Sequence, residues 1–179
     1  MEIFFEGIIM RPWSISDASH LALIADNKKI ADNLRDGFPN PYSYKDALDW
    51  LNLILPENNP PRFFAITVDN QLVGSIGLVT KTDIYRKNFE IGFFLSENWW
   101  GQGIMTRAIK AAVSYSFRDF DIVRIYAETF SDNIGSRRAL EKAGLKLEAV
   151  LRRSIIKNEI IKDSCIFSVL REDFKIVVH

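Results

Sequence analysis

The period of the hydrophobic positions changes along the chain, and the expected elements follow it. Phe4–Trp13 is a β-rich run stopped near Pro12, and Ser16–Asp17 opens a helical stretch. Leu21, Ile24, Ala25 and then Ile30 and Leu34 recur there at helical spacing, with a break near Asn27. Gly37, Pro39 and Pro41 mark Asp36–Tyr42 as a loop. Ser43 with Asp46 three residues on is a helix-start signal, and Ala47, Trp50, Leu51 and Ile54 form the apolar face up to Pro56. From Arg62 the period becomes two: RFFAITVD and QLVGSIGLVTK are strands joined through Asp69–Asn70. A charged turn, Thr82–Lys87, leads to a strand at Phe89–Leu95, so successive strands with short links are antiparallel neighbours. Beyond a polar turn at Ser96–Asn98 and Gly101-Gln102-Gly103 lies an alanine-rich helix. Ile122–Thr129 is the next strand, and Asn133–Ala143 a short helix ended by Gly144. Leu145–Lys157 and Ile160–Leu170 are closing β runs that turn at Asn158–Glu159.

This order predicts an α+β fold: a mixed, mostly antiparallel sheet of six to seven strands flanked by helices, with one parallel β-α-β crossover. The two parallel strands are expected to splay where their helices begin, which opens a slot. With no linker or internal repeat, residues 1–179 read as a single domain.

The segment Asn88–Ser116 organises the rest. Gly101 and Gly103 free the backbone to curl and to approach a ligand closely. The amides of Gly103, Ile104, Met105 and Thr106 fall in the first helical turn, where no intrahelical acceptor exists and the dipole favours an anion. A strand feeding such a loop is a pyrophosphate cradle.

Composition narrows the partners. Lys plus Arg equals Asp plus Glu, 23 against 23, which argues for neither nucleic acid nor an anionic membrane. One cysteine, Cys165, allows neither an internal disulfide nor a cysteine zinc cluster and fits a reducing compartment. The two histidines, His20 and His179, are too scattered for a metal site. With no signal peptide and no apolar run of membrane-spanning length, a cytoplasmic location is expected.

Several pieces of the sequence, in order, resemble the GNAT superfamily of acetyl-CoA-dependent N-acetyltransferases, and within it the ribosomal-protein N-terminal acetylase (RimJ/RimL-like) branch. They are RPWSISDASHLALIADN, PNPYSYKDALDWL, EIGFFLSENWWGQGIMTRAI, NIGSRRALEKAGLKLEA and KNEIIKDSCIFSVLRED, which together cover nearly the whole chain. Against the superfamily's loop pattern, Gln/Arg-x-x-Gly-x-Gly/Ala, Trp100 takes the first position and Met105 the last. Leu140 stands where some members carry a tyrosine acid, and Ile155 is the nearest match to a carboxylate that some N-terminal acetylases carry.

The resemblance implies acetyl transfer to a primary amine by direct attack in a ternary complex, with acetyl-CoA as cosubstrate and no metal. Trp100, Gly101, Gln102, Gly103, Ile104, Met105 and Thr106 would hold the diphosphate, and Phe93 and Leu95 the pantetheine through their backbone, with Asn133 touching that arm. Ser136 would hydrogen-bond the departing sulfur. Glu90 is the candidate base: its neighbours Phe89, Ile91 and Phe93 are apolar, and such surroundings raise a carboxyl pKa. The alternative for Glu90 is a salt-bridged sheet residue, and for Asn133 a helix cap. Phe38 and Tyr42, with Trp13 and Trp50, would wall the acceptor pocket or else be core. The acceptor would be a protein N-terminus or a small amine, and the protein a monomer or homodimer.

Two other readings compete. The glycine loop also matches part of a dinucleotide fingerprint, with Asp119 and Asp121 downstream, but Thr106 replaces the third glycine and the loop follows antiparallel strands. The other is a domain that binds an acyl-CoA without catalysis.

Overall fold

A computed structural model describes residues 2–174. The strands are β1 (Ile3–Phe5), β2 (Ile8–Pro12), β3 (Phe63–Val68), β4 (Gln71–Thr80), β5 (Asn88–Leu95), β6 (Arg124–Phe130), β7 (Lys146–Lys157) and β8 (Ile160–Leu170). The helices are α1 (Ala18–Ala25), α2 (Lys28–Ala31), α3 (Tyr44–Ile54), α4 (Ile104–Asp119) and α5 (Ile134–Lys142). Strand order is β1-β2-β3-β4-β5-β6-β8-β7, an eight-stranded, mostly antiparallel sheet. Strands β5 and β6 pair in parallel, Asn88↔Arg124, Phe89↔Ile125 and Glu90↔Tyr126, over the first three residues of β5. The connection there is β5-α4-β6, as the pattern required.

Two details differ from the sequence reading. The first β run is a hairpin rather than one strand, because Glu6 (φ 43°) and Gly7 (φ 82°) both adopt left-handed backbone and reverse the chain. That adds a strand to the expected count. The first helical stretch is capped by Ser14 instead of starting at Ser16. The Ser14 hydroxyl and the Asp17 carboxylate form a capping box around a 3-10 turn that runs into α1. The break near Asn27 is present, with Asn27 capping α2, and Ser43 caps α3 with Asp46 as its reciprocal partner.

Residue contacts separate the chain into two compact units interleaved in sequence. One takes the residues up to Gly77 with Phe93–Ile104; the other takes Leu78–Gly92 with the residues from Met105 onward. The core of the first unit is Trp13, Ala18, Leu21, Ala25, Tyr42, Ala47, Leu51, Ile54 and Ala65. It joins the apolar faces of α1 and α3 to the strands. Trp13 meets Trp50 edge-on at 5.4 Å, and Trp50 meets Phe63 at 6.2 Å, so both tryptophans are core. The core of the second unit includes Ala108, Ile109, Ala112 and Val113 of α4, with Phe89, Ile125, Leu140 and Phe167.

Alternation sets the faces of β5 and β6. Phe89 and Ile91, and Ile125, Ala127 and Thr129, are buried, while Glu90 and Tyr126 are half-buried and Gly92 and Glu128 exposed. Cys165 is buried within β8. His179 lies outside the described residues. Among the described residues no helix is long and apolar enough to cross a membrane, and no group of three or more His, Cys, Asp or Glu is placed to hold a metal ion.

Candidate active site

The end of β5 is set by a close approach. A Cβ on Gly74 of β4 would lie 2.5 Å from the Phe94 carbonyl oxygen and 3.2 Å from Leu95 Cα, so only glycine lets the two backbones meet there. The Ser96 amide donates to the Val73 carbonyl at 2.8 Å, and the Trp100 indole Nε1 donates to the Leu95 carbonyl at 2.7 Å. Trp100, which replaces a basic or amide side chain of the superfamily pattern, therefore ties the start of the glycine loop back to the strand. Glu97 anchors the loop further: it accepts from Asn27 Nδ2 at 2.8 Å and is ion-paired to Lys29. These two hydrogen bonds, Lys29's first, hold its carboxyl below the usual range.

Gly101 (φ 75°) and Gly103 (φ 72°) are in left-handed backbone, and a Cβ on either would meet nothing within 4 Å. The turn is open, with room for a group to lie against its backbone. Ile104 and Met105 are buried, so the first-turn side chains of α4 pack inward. Gln102 spends its side-chain amide on the Asn98 carbonyl at 3.2 Å. The start of a helix favours an anion on its backbone donors, and α4, at 16 residues, is long enough to contribute its dipole.

In the same unit the Phe38 ring meets Tyr42 at 4.9 Å and Phe94, near the end of β5, at 5.7 Å. Tyr42 is buried, and its amide donates to Asp26 at 2.9 Å. Burial, with the charge of Asp46 behind it, pushes its phenol up to about 12, so it is neutral in the physiological range.

In the other unit the surroundings of Glu90 differ from the apolar ones expected. Lys81, just past β4, makes an ion pair with Glu90 Oε2 at 2.5 Å, and the Tyr126 hydroxyl lies 3.4 Å from the same oxygen. Phe89 and Ile91 point to the opposite face of the strand. The salt-bridged alternative therefore describes where Glu90 sits. Asn133 Oδ1 accepts the Ser136 amide at 3.1 Å, the cap expected for α5. The Ser136 hydroxyl has no partner among the described residues, so it has donor capacity to spare. Leu140 is fully buried core and carries no chemistry.

Lys81 and Tyr126 were missed from sequence. Tyr126 was detectable, since the period-two pattern of IVRIYAET puts it on the half-polar face and the parallel register sets it opposite Glu90. Lys81 was not, because pairing across the turn of residues 82–87 leaves no periodic trace.

Residues 8–146 match the family described as acetyltransferase (GNAT) domain. The probable N-acetyltransferase YjcK of Bacillus subtilis (strain 168) is 27% identical over 172 residues, covering 93% of this chain and 95% of that one. The spermidine N(1)-acetyltransferase of Escherichia coli (strain K12) is 23% identical over 165 residues, covering 90% and 86%. Among solved structures, RimL, a ribosomal L7/L12 alpha-N-protein acetyltransferase in complex with coenzyme A, superposes with a TM-score of 0.85 at 19% identity, covering 95% and 98%. The chain belongs to the GNAT family and is an acetyl-CoA-dependent N-acetyltransferase.

Proposed function

We propose that the acceptor is the α-amine of a protein or peptide N-terminus, or a small amine of similar basicity, and that Glu90 takes the proton it loses. The observation that carries this reading is the pairing of Glu90 with Lys81. A carboxylate already neutralised by a lysine offers little to a polycation, whereas an α-amine, with a pKa near 8 against about 10.4 for a lysine-like amine, needs little help to become neutral.

Acetyl-CoA supplies the thioester, and the chain's own groups do the rest. The amides of Gly103–Thr106 bind the diphosphate, and the backbone of Phe93 and Leu95 aligns the pantetheine. The Leu95 amide at that strand end faces the thioester carbonyl; one preorganised donor of this kind is worth roughly 3 kcal/mol. The amine nitrogen bonds to the acetyl carbon as the carbon–sulfur bond breaks. Its proton passes to Glu90, and the Ser136 hydroxyl donates a hydrogen bond to the departing sulfur. A serine is a poor acid against a thiol of pKa near 8.5, so Ser136 stabilises the thiolate and does not protonate it. The single buried cysteine supports a reducing, cytoplasmic setting for this reaction.

Steady-state kinetics over a panel of peptides, amino acids and polyamines, read by free CoA, test the proposal. Peptides with free N-termini are expected to be acetylated with the highest kcat/KM, and a clear preference for spermidine contradicts it. Glu90→Gln is expected to lower turnover about a hundredfold at unchanged acetyl-CoA affinity. Ser136→Ala should lower it more modestly, and an unaltered rate reassigns Ser136 to the helix start.

A further inference from the structure

The surroundings of Glu90 are more specific than an isolated surface pair. Lys81 reaches it from beyond β4, and Tyr126 stands at the matching register position of the parallel strand. The Lys81 ammonium is also 5.6 Å from the centre of the Tyr126 ring, and the Arg124 guanidinium is 4.8 Å from it. Arg124 is in turn neutralised by Glu148 of β7 at 2.5 Å, and Glu148 accepts from Ser168 of β8. Lys81 is thus ion-paired with Glu90, while Arg124 is ion-paired with Glu148. The side chains of Glu90 and Lys81 are 13% and 27% exposed, which shields the pair from solvent more than an open surface would. Burial works against the charge on Lys81, but its hydrogen bond to the Glu90 carboxylate and that group's charge outweigh it and raise its pKa above the usual value.

We propose that Lys81 and Tyr126 are positioning residues for the base: Lys81 keeps the Glu90 carboxylate ionised and fixes its rotamer, and the Tyr126 hydroxyl lies against the same oxygen. This rests on Glu90 acting as the base. A carboxylate as shielded from solvent as this one would otherwise be pushed toward its neutral form, and the lysine partner offsets that. Tyr126 contributes less than Lys81, since 3.4 Å is long for a hydroxyl donor.

The test compares rates of Lys81→Met, Lys81→Arg, Tyr126→Phe and Glu90→Gln at saturating acetyl-CoA from pH 5.5 to 8.5. Each rate is divided by that of the unaltered protein at the same pH, so that the acceptor's own ionisation cancels. Losing a positive partner raises a carboxyl pKa, so the Lys81→Met ratio should fall about fivefold between pH 8 and pH 5.5. Lys81→Arg should restore a flat profile, and Tyr126→Phe should fall less in the same direction. In a Glu90→Gln background, Lys81→Met should add no pH dependence. A Lys81→Met ratio independent of pH, with Glu90→Gln impaired, overturns the positioning role while leaving the base in place. Full turnover of Glu90→Gln at every pH removes the base itself. Should Lys81→Met melt below the assay temperature, Lys81→Gln, which keeps the length and polarity of the side chain, gives the same comparison.

Discussion

Asp17 shows how much one residue can carry. Its carboxylate takes both guanidinium nitrogens of Arg11 at 2.8 Å and the Ser14 amide at 2.9 Å, closing the cap of the first helical stretch. Burial alone would push its pKa up, but the bonds from Arg11 and Ser14 outweigh that and hold it below the ordinary value. A depressed carboxyl contributes its stability fully above the unfolded value, near 3.9, and loses it as pH falls through the lower folded value. Asp17→Asn is therefore expected to cost roughly 2 kcal/mol at pH 7, less than for a fully buried pair because Arg11 still meets water. Between pH 5 and pH 2 the melting temperature of the unaltered protein should drop more than that of the variant. Equal drops would mean that Asp17 is not what the acid titrates. In the sequence Asp17 was visible only as part of a helix start; its bidentate partner lies on another element, and nothing in the spacing points to Arg11.

At the scale of elements, β4 and the end of β5 work together. Gly74 stands in a strand interior, where glycine usually weakens the ladder, and its reason is the Phe94 carbonyl that a Cβ would strike. Gly74→Ala should cost roughly 2–3 kcal/mol, read by chemical denaturation, and should weaken acetyl-CoA binding by displacing Phe94 and Leu95. Unchanged stability would show that β4 can retreat freely. The elements themselves were largely legible: Ser43, Asn133 and the Asp69–Asn70 turn announce their structures through local chemistry. The hairpin at Glu6–Gly7 was not, because a glutamate at a left-handed position is outside the usual turn code. Close approaches such as Gly74 are invisible for a related reason. They depend on which strand is the neighbour, and the sequence carries that only indirectly.

For the molecule as a whole, the equal counts of acidic and basic residues leave no dominant field to concentrate a charged acceptor. Selectivity then rests on local groups and not on a long-range field. The glycine loop was readable from the sequence because a strand, a glycine turn and a helix start lie within one short segment, and the family because five pieces resembling it follow one another in order. The environment of Glu90 was not, because hydrophobic alternation reveals a face without revealing which charges meet on it. The account stands or falls on the turn at residues 101–106 gripping the diphosphate. Calorimetric titration of the unaltered protein and of Gly103→Val with coenzyme A, and with pantetheine, which lacks the diphosphate, tests this most directly. A valine forced into left-handed backbone should weaken coenzyme A binding by about tenfold or more while leaving the much weaker pantetheine affinity unchanged. Equal coenzyme A affinity in the two proteins, or pantetheine binding as tightly as coenzyme A, would contradict it.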